Sequence, residues 1–377
     1  MENKKRNKSL DILKGFGILF MVMGHASFPL LKFVYMFHMA LFFICSGMFF
    51  KEKAYSSIED FKYFIKSKIK RLYIPFVLWN IFLTLIHNFL IKINVYTNNP
   101  DFIYFTRYAY RGILSHASHC GLIFPYSLQE ILFRIFTIFC FYSNEQLSPT
   151  WFLRVLFWIA ILSVFIHFIL KKYIKNIFIF KTSRLIVYIL LLFIGYLFQK
   201  LKFDFYGIGT ICSCSILFYI GILLNSYKDK INKYWGFFSF IGLLISYIYI
   251  GGRTELSQNI YPNIYIFLLN SIFGFIFILY VSNSISKLKL FSTILSYIGK
   301  HSLSILLFHY IGFKIITFIQ ICIYFKPHYY LLASFLTLAY IKGWWMLYTI
   351  AGILVPLIIV FVWNNVKSLL IKIYIAK

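Results

Sequence analysis

The sequence predicts an all-α fold, a polytopic bundle of membrane-spanning helices. Three observations carry this. Of 377 residues, 61% are apolar and only 13% charged, where a soluble domain carries roughly 25% charged residues. Apolar runs recur at the length of roughly 20 residues that a helix needs to cross a bilayer. Positive charge, a formal net +27, sits in short clusters between those runs, as the positive-inside rule requires. This composition excludes a disordered chain, a collagen-like chain and a disulfide scaffold. Clustered Lys and Arg beside apolar runs point to anionic lipid at a membrane surface, not to nucleic acid.

The spans follow in order, about ten of them, over roughly 12–30, 34–50, 72–92, 151–170, 184–199, 207–225, 235–251, 263–282, 303–325 and 345–364. The first follows a basic stretch (Lys4, Lys5, Arg6, Lys8) but lacks a small-residue cleavage site, so it reads as a retained helix and not as a secretory leader. The fifth is short and can begin near Ile177. The stretch 131–142 is apolar but too short to span and contains Arg134, so it reads as an interfacial or re-entrant helix. Placing the N-terminus inside puts most of the Lys and Arg in inside segments, including Lys51–Arg71 and Lys171–Arg184. Both termini are then cytoplasmic. The chain reads as one integral membrane domain, 1–377, with an extracytoplasmic loop at about 93–150 that holds Pro100, Pro125 and Pro149.

An ionisable residue inside a span is costly and marks a candidate site. In the first helix Lys14 and His25 are 11 positions apart, which on an α-helix is three turns plus about 20° and a rise of about 16 Å. They share one face, with Lys14 at the cytoplasmic end and His25 deeper. Asp11, three residues before Lys14, can pair with it. His38 opens the second span on its outer side, within reach of His25 across the hairpin. Lys68 and Arg71 lie three apart in Lys66-Ser67-Lys68-Ile69-Lys70-Arg71, a cluster suited to phosphate. Ser302, Ser304 and His309 give the ninth span a polar side. Each also has a plainer reading: a snorkelling lysine, interhelical histidines, ordinary inside charge and hydrogen-bonded packing. Trp151, at a helix start, suits sugar stacking or interfacial anchoring. No metal site is expected, because His116, His119 and Cys120 stand without an acidic partner. There is no nucleophile elbow and no phosphate-binding glycine loop.

Several segments resemble the acyltransferase-3 family of integral membrane acyltransferases, in its short form. Ser9-Leu10-Asp11-Ile12-Leu13-Lys14-Gly15 followed by Gly24-His25 is similar to the family's signature of a basic residue, a ten-residue gap and a histidine. Phe37-His38-Met39-Ala40-Leu41-Phe42-Phe43 resembles its second-helix motif, and Arg71-Leu72-Tyr73-Ile74-Pro75 its third-helix start. Thr150-Trp151-Phe152-Leu153 and the run from Ile298 to His309 match later segments. Lys14 stands where the family often has Arg, Ala40 where it has Pro, and Lys68-x-x-Arg71 replaces a pair of arginines. Lysine is a point charge and lacks the planar fork of arginine.

The resemblance implies O-acyl transfer, most often of acetyl, from cytoplasmic acyl-CoA to a sugar hydroxyl of a bacterial cell-envelope polysaccharide or lipid-linked glycan, in the cell membrane. Acetyl-CoA is then the donor substrate, and no bound cofactor is expected. Lys68, Arg71 and Lys14 would hold the donor's phosphates. His25, with Lys14 and Asp11, would form the catalytic set, a neutral imidazole serving as base or as acyl carrier. His38, His309, Trp151 and Ser302 would face the acceptor. The rival reading is a polysaccharide exporter, flippase or polymerase, which accounts for the spans and for Arg107 and Arg111 in the outer loop but not for the shared face of Lys14 and His25.

Overall fold

A computed structural model describes residues 7–93, 125–143, 145–251, 254–326 and 343–375. Among these residues the regular structure is helical, apart from one bridge between Glu255 and Ile260. The helices are α1 (Lys8–His25), α2 (Leu31–Tyr35), α3 (His38–Met48), α4 (Ile58–Lys68), α5 (Ile74–Lys92), α6 (Leu128–Phe139), α7 (Trp151–Tyr173) and α8 (Ile177–Lys200), followed by α9 (Ile208–Leu224), α10 (Lys233–Ile245), α11 (Ile264–Ile285), α12 (Lys289–Lys300), α13 (Ser302–Tyr324) and α14 (Trp345–Ile375).

Nine segments among the described residues are long and apolar enough to cross a membrane. The set expected from the sequence is larger by one, and the difference is α1. Its 18 residues include Lys8, Asp11 and Lys14, and it stops at His25 instead of continuing to 30. Ser27, at φ +58° in the left-handed region, turns the chain immediately afterwards. The fifth expected span does begin at Ile177. The apolar stretch at 131–142 belongs to α6, whose 12 residues fall well short of a crossing. His116, His119 and Cys120 lie outside the described residues.

One local irregularity follows from a single residue. Pro75 has no N–H to give the carbonyl of Arg71, four residues back, and its ring crowds that carbonyl. The turn widens, and Ile69–Tyr73 forms a π-helical segment between α4 and α5. Lys70 and Arg71 ride on it. Ser57 caps α4 by accepting the Asp60 N–H.

The described residues fall into two compact units. The first draws on Met1–Met21, Leu30–Pro75 and Trp151–Lys300, the second on Val22–Pro29, Phe76–Thr150 and His301–Lys377. In the first, two helix pairs cross backbone against backbone. Gly15 of α1 meets the Leu295 carbonyl of α12 while Gly299 meets the Asp11 carbonyl, and any Cβ at either glycine would collide. Gly47 and Gly221 do the same for α3 and α9, against the carbonyls of Phe218 and Ile44. Without a hydrophobic drive between helices in lipid, such close packing is a main source of adhesion. Asn259 ties α8 to α9: its amide donates to the Gly195 carbonyl at 2.8 Å and accepts from the Ser213 hydroxyl at 2.8 Å.

In the second unit α13 packs along α14. Gly312 lies on the Ala351 carbonyl, Thr317 hydrogen-bonds the Tyr348 hydroxyl at 2.9 Å, and Tyr348 donates to the Gln320 side chain. α6 is pinned to α5 at its start: Asn88 accepts the Tyr126 N–H at 2.7 Å and donates to the Tyr126 carbonyl at 2.8 Å.

Candidate active site

The second unit brings together two histidines from opposite parts of the sequence. The rings of His25, at the end of α1, and His309, on α13, have centroids 5.3 Å apart. The hydroxyl of Tyr310 hydrogen-bonds Nδ1 of His25 at 3.3 Å, with the two rings edge to face at 5.6 Å. His309 is fully buried, whereas His25 is half-buried and so remains reachable.

Local geometry sets the tautomer of His309. Its Nδ1 lies 3.1 Å from the Ile305 carbonyl and 3.0 Å from the Leu306 carbonyl. Carbonyls only accept, so Nδ1 carries the proton and donates. Nε2 is then a bare lone pair, and it is buried with no hydrogen-bond partner among the described residues. The Phe313 ring stands edge-on to His309 at 5.4 Å and closes one side. The Trp79 ring of α5 meets Phe308, the residue before His309, at 4.6 Å.

The remaining expected residues lie in the first unit, apart from Ser302. Lys14 and Asp11 pair at 3.9 Å, with Asp11 buried and Lys14 about a quarter accessible. The Lys14 ammonium also sits 4.5 Å above the Phe49 ring. One unbroken helix, α1, carries Asp11, Lys14 and His25. Lys68 is half-buried at the end of α4 with its ammonium 4.9 Å over Phe64, and Arg71 is exposed on the π-helical segment. His38 is engaged on its own helix: Nδ1 lies 3.1 Å from the Val34 carbonyl, and the ring stacks on Tyr35 at 4.8 Å. Trp151 opens α7 half-buried, its ring edge-on to Phe152 at 6.2 Å. Ser302 is the first residue of α13.

Two residues of this neighbourhood have no role in the reading of the sequence. Tyr310 is one position from His309, and nothing in its spacing marks it; the pairing with His25 is made by tertiary packing. Lys314 has a signal. It is a half-buried lysine inside an apolar run, four residues after Tyr310 and so on the same helical face.

Taken chemically, two imidazoles and a phenol form a cluster that can accept, hold and pass a proton without a carboxylate. That is the equipment of general base catalysis on a hydroxyl. No group of three or more metal-ligating side chains occurs among the described residues. No curated protein and no solved structure matches the chain. The family described as an acyltransferase domain matches residues 7–364. That match covers nearly the whole sequence and includes both histidines, and it establishes that the chain belongs to the acyltransferase 3 family and is a membrane acyltransferase.

Proposed function

We propose that this protein transfers an acyl group, most often acetyl, from acyl-CoA to a sugar hydroxyl of a bacterial cell-envelope polysaccharide or lipid-linked glycan, with His25 as the base. The observation that carries the reading is the reachable His25 held by Tyr310 beside His309. A sugar hydroxyl is a weak nucleophile and must lose its proton as it attacks. With Nδ1–H of His25 donating to the Tyr310 oxygen, Nε2 is free to take that proton. The hydroxyl oxygen bonds to the thioester carbonyl carbon, the carbon–sulfur bond breaks, and the departing thiolate recovers the proton from the imidazolium. Lys14, Lys68 and Arg71 serve the donor's phosphates by charge-assisted hydrogen bonds. The Asp11 carboxylate holds Lys14 through the pair at 3.9 Å.

The test is mass spectrometry of envelope glycans from wild-type and gene-deleted cells. Loss of acyl groups with unchanged chain length is the expected result. Loss of length or of surface display, with acylation intact, points to export or polymerisation and overturns the reading. Lys14→Ala is expected to raise the KM for acyl-CoA several-fold while leaving acceptor dependence unchanged. An unaltered donor saturation curve would make Lys14 a packing residue only.

A further inference from the structure

The second unit also holds a cavity of about 660 Å³ between α5, α6 and the residues just after α6. That size lies within the range of small-molecule sites, about 300–1,000 Å³. Its lining mixes hydroxyls (Thr84, Thr137, Tyr142, Ser143) with the side chains of Arg134, Glu130 and Phe133.

The Arg134 guanidinium faces this cavity beside the Glu130 carboxylate, which attracts it electrostatically. The Arg134 guanidinium lies 4.0 Å from the Tyr126 ring centroid, and Tyr126 is stacked in turn on the buried His87 at 3.6 Å and 2°. Among the described residues Arg134 donates no hydrogen bond and has no carboxylate within ion-pair distance. Glu130, its neighbour one turn back, is committed elsewhere. It accepts the Ser127 N–H at 2.7 Å in a capping box, and that backbone bond holds its carboxyl below the usual range. The guanidinium therefore sits over an aromatic face with no hydrogen bond of its own among the described residues. This is the presentation that recognises phosphate.

The outside of α6 indicates what carries the phosphate. Leu128, Leu132, Phe133, Phe136 and Phe139 are all more than half exposed. A 12-residue amphipathic helix in a membrane protein lies in the interface with its apolar face among acyl chains. The cavity's polar groups and the apolar face meet at Phe133, so a ligand that uses both is amphiphilic. The cavity's volume leaves room for a polyol beyond the phosphate, toward which Thr137, whose hydroxyl donates to the Arg134 carbonyl at 2.9 Å, can still accept. The cavity and the histidine-bearing α13 both border α5. Thr84 follows Trp79 by five residues on α5, a rise of about 7.5 Å, and the Trp79 ring touches Phe308, next to His309.

We infer that this cavity binds the headgroup of a lipid-linked sugar phosphate, with Arg134 on the phosphate and the lipid chain along the Leu132–Phe136 face of α6. The inference rests on the acyl-transfer reading only in making that lipid the acceptor. It selects a membrane-borne acceptor over a soluble polysaccharide.

The experiment uses the full chain in nanodiscs, a polyisoprenyl-phosphate monosaccharide as probe and phosphatidylglycerol as competitor, with binding read by native mass spectrometry. Wild type is expected to retain the probe against excess phosphatidylglycerol. Arg134→Gln is expected to lose about tenfold or more in affinity, the size of one hydrogen bond to a charged group. Arg134→Lys, which keeps the charge, should recover part of the binding and shows that the site still folds. In turnover, Arg134→Gln should raise the KM for the lipid-linked acceptor with little change in kcat. Equal binding by wild type and Arg134→Gln overturns the proposal, as does equal displacement by phosphatidylglycerol. If wild type binds the probe but acylates no glycan, the acyl-transfer reading fails and the lipid site stands.

Discussion

Two buried histidines in this molecule share their local chemistry and differ in the groups they meet. His309, in the second unit, and His167, in the first, are each fully buried. Each gives Nδ1–H to a carbonyl four residues back on its own helix, Ile305 at 3.1 Å and Ser163 at 2.7 Å. Each leaves Nε2 without a hydrogen-bond partner among the described residues. By burial and tautomer they are equivalent. Their neighbours separate them. His309 lies beside a second imidazole, 5.3 Å away between ring centroids, whose Nδ1 is hydrogen-bonded to a phenol. His167 is walled by the rings of Phe50, Tyr55 and Tyr188 at 5.0, 5.1 and 6.1 Å. Near it is the Arg184 guanidinium, itself buried against the rings of Phe180 and Tyr219 at 4.5 and 5.9 Å. An arginine never gives up its own proton, so Arg184 cannot take one from His167. A buried histidine becomes a working base only with access and with a proton-accepting neighbour.

The largest expected effect breaks the pair apart. His25→Ala should lower acyl transfer by about 10²–10⁴, the usual worth of a positioned general base, in protein that still inserts and purifies as a single species. His167→Phe, which replaces the imidazole by one more ring in an aromatic shell, should leave turnover per folded molecule within a few-fold of wild type. Radiolabelled acyl transfer by the two purified variants, side by side, is sufficient. If His167→Phe proves as inactive as His25→Ala while remaining folded, the distinction between the two clusters is wrong.

Much of this is legible in the order of the residues alone. The spacing of 11 residues, three turns and a little more, puts Lys14 and His25 on one face of a helix that does run through both, and the apolar runs locate the nine candidate spans among the described residues. The short apolar stretch at 131–142 announces α6 by being too brief to span. The departures have physical causes. α1 ends at His25 because Ser27 takes a left-handed turn, a backbone choice with no glycine to advertise it. For His38 the local contacts are with its own stretch of chain, the Val34 carbonyl and the Tyr35 ring, which spacing alone does not announce. The partners of His25 come from 285 residues away, a distance over which spacing carries no information.

A smaller effect concerns stability. Arg184 is 8% exposed, and among the described residues its guanidinium has ring faces for company but no carboxylate. Desolvating such a group is expensive, and exchanging buried charge for apolar volume is often neutral or stabilising by about 1–4 kcal/mol. Arg184→Met should therefore raise the thermal unfolding midpoint in detergent, with acyl transfer retained. A clear fall in the midpoint would mean that the guanidinium does structural work the ring contacts do not account for, and it would bring the two clusters closer in kind.

The smallest expected effect tests the side of the comparison that is given a function. Tyr310→Phe keeps the ring edge-on to His25 and removes only the hydroxyl, whose hydrogen bond of 3.3 Å is long. A neutral hydrogen bond contributes about 0.5–1.5 kcal/mol, so kcat should fall by roughly two- to tenfold. The KM for either substrate should hardly change, because the hydroxyl orients the base without touching donor or acceptor. A loss as large as that of His25→Ala would make Tyr310 itself an acid or base in the reaction. No loss at all would leave His25 oriented by packing alone, and the phenol would cease to distinguish this cluster from the one around His167, where Tyr188 also stands beside a histidine.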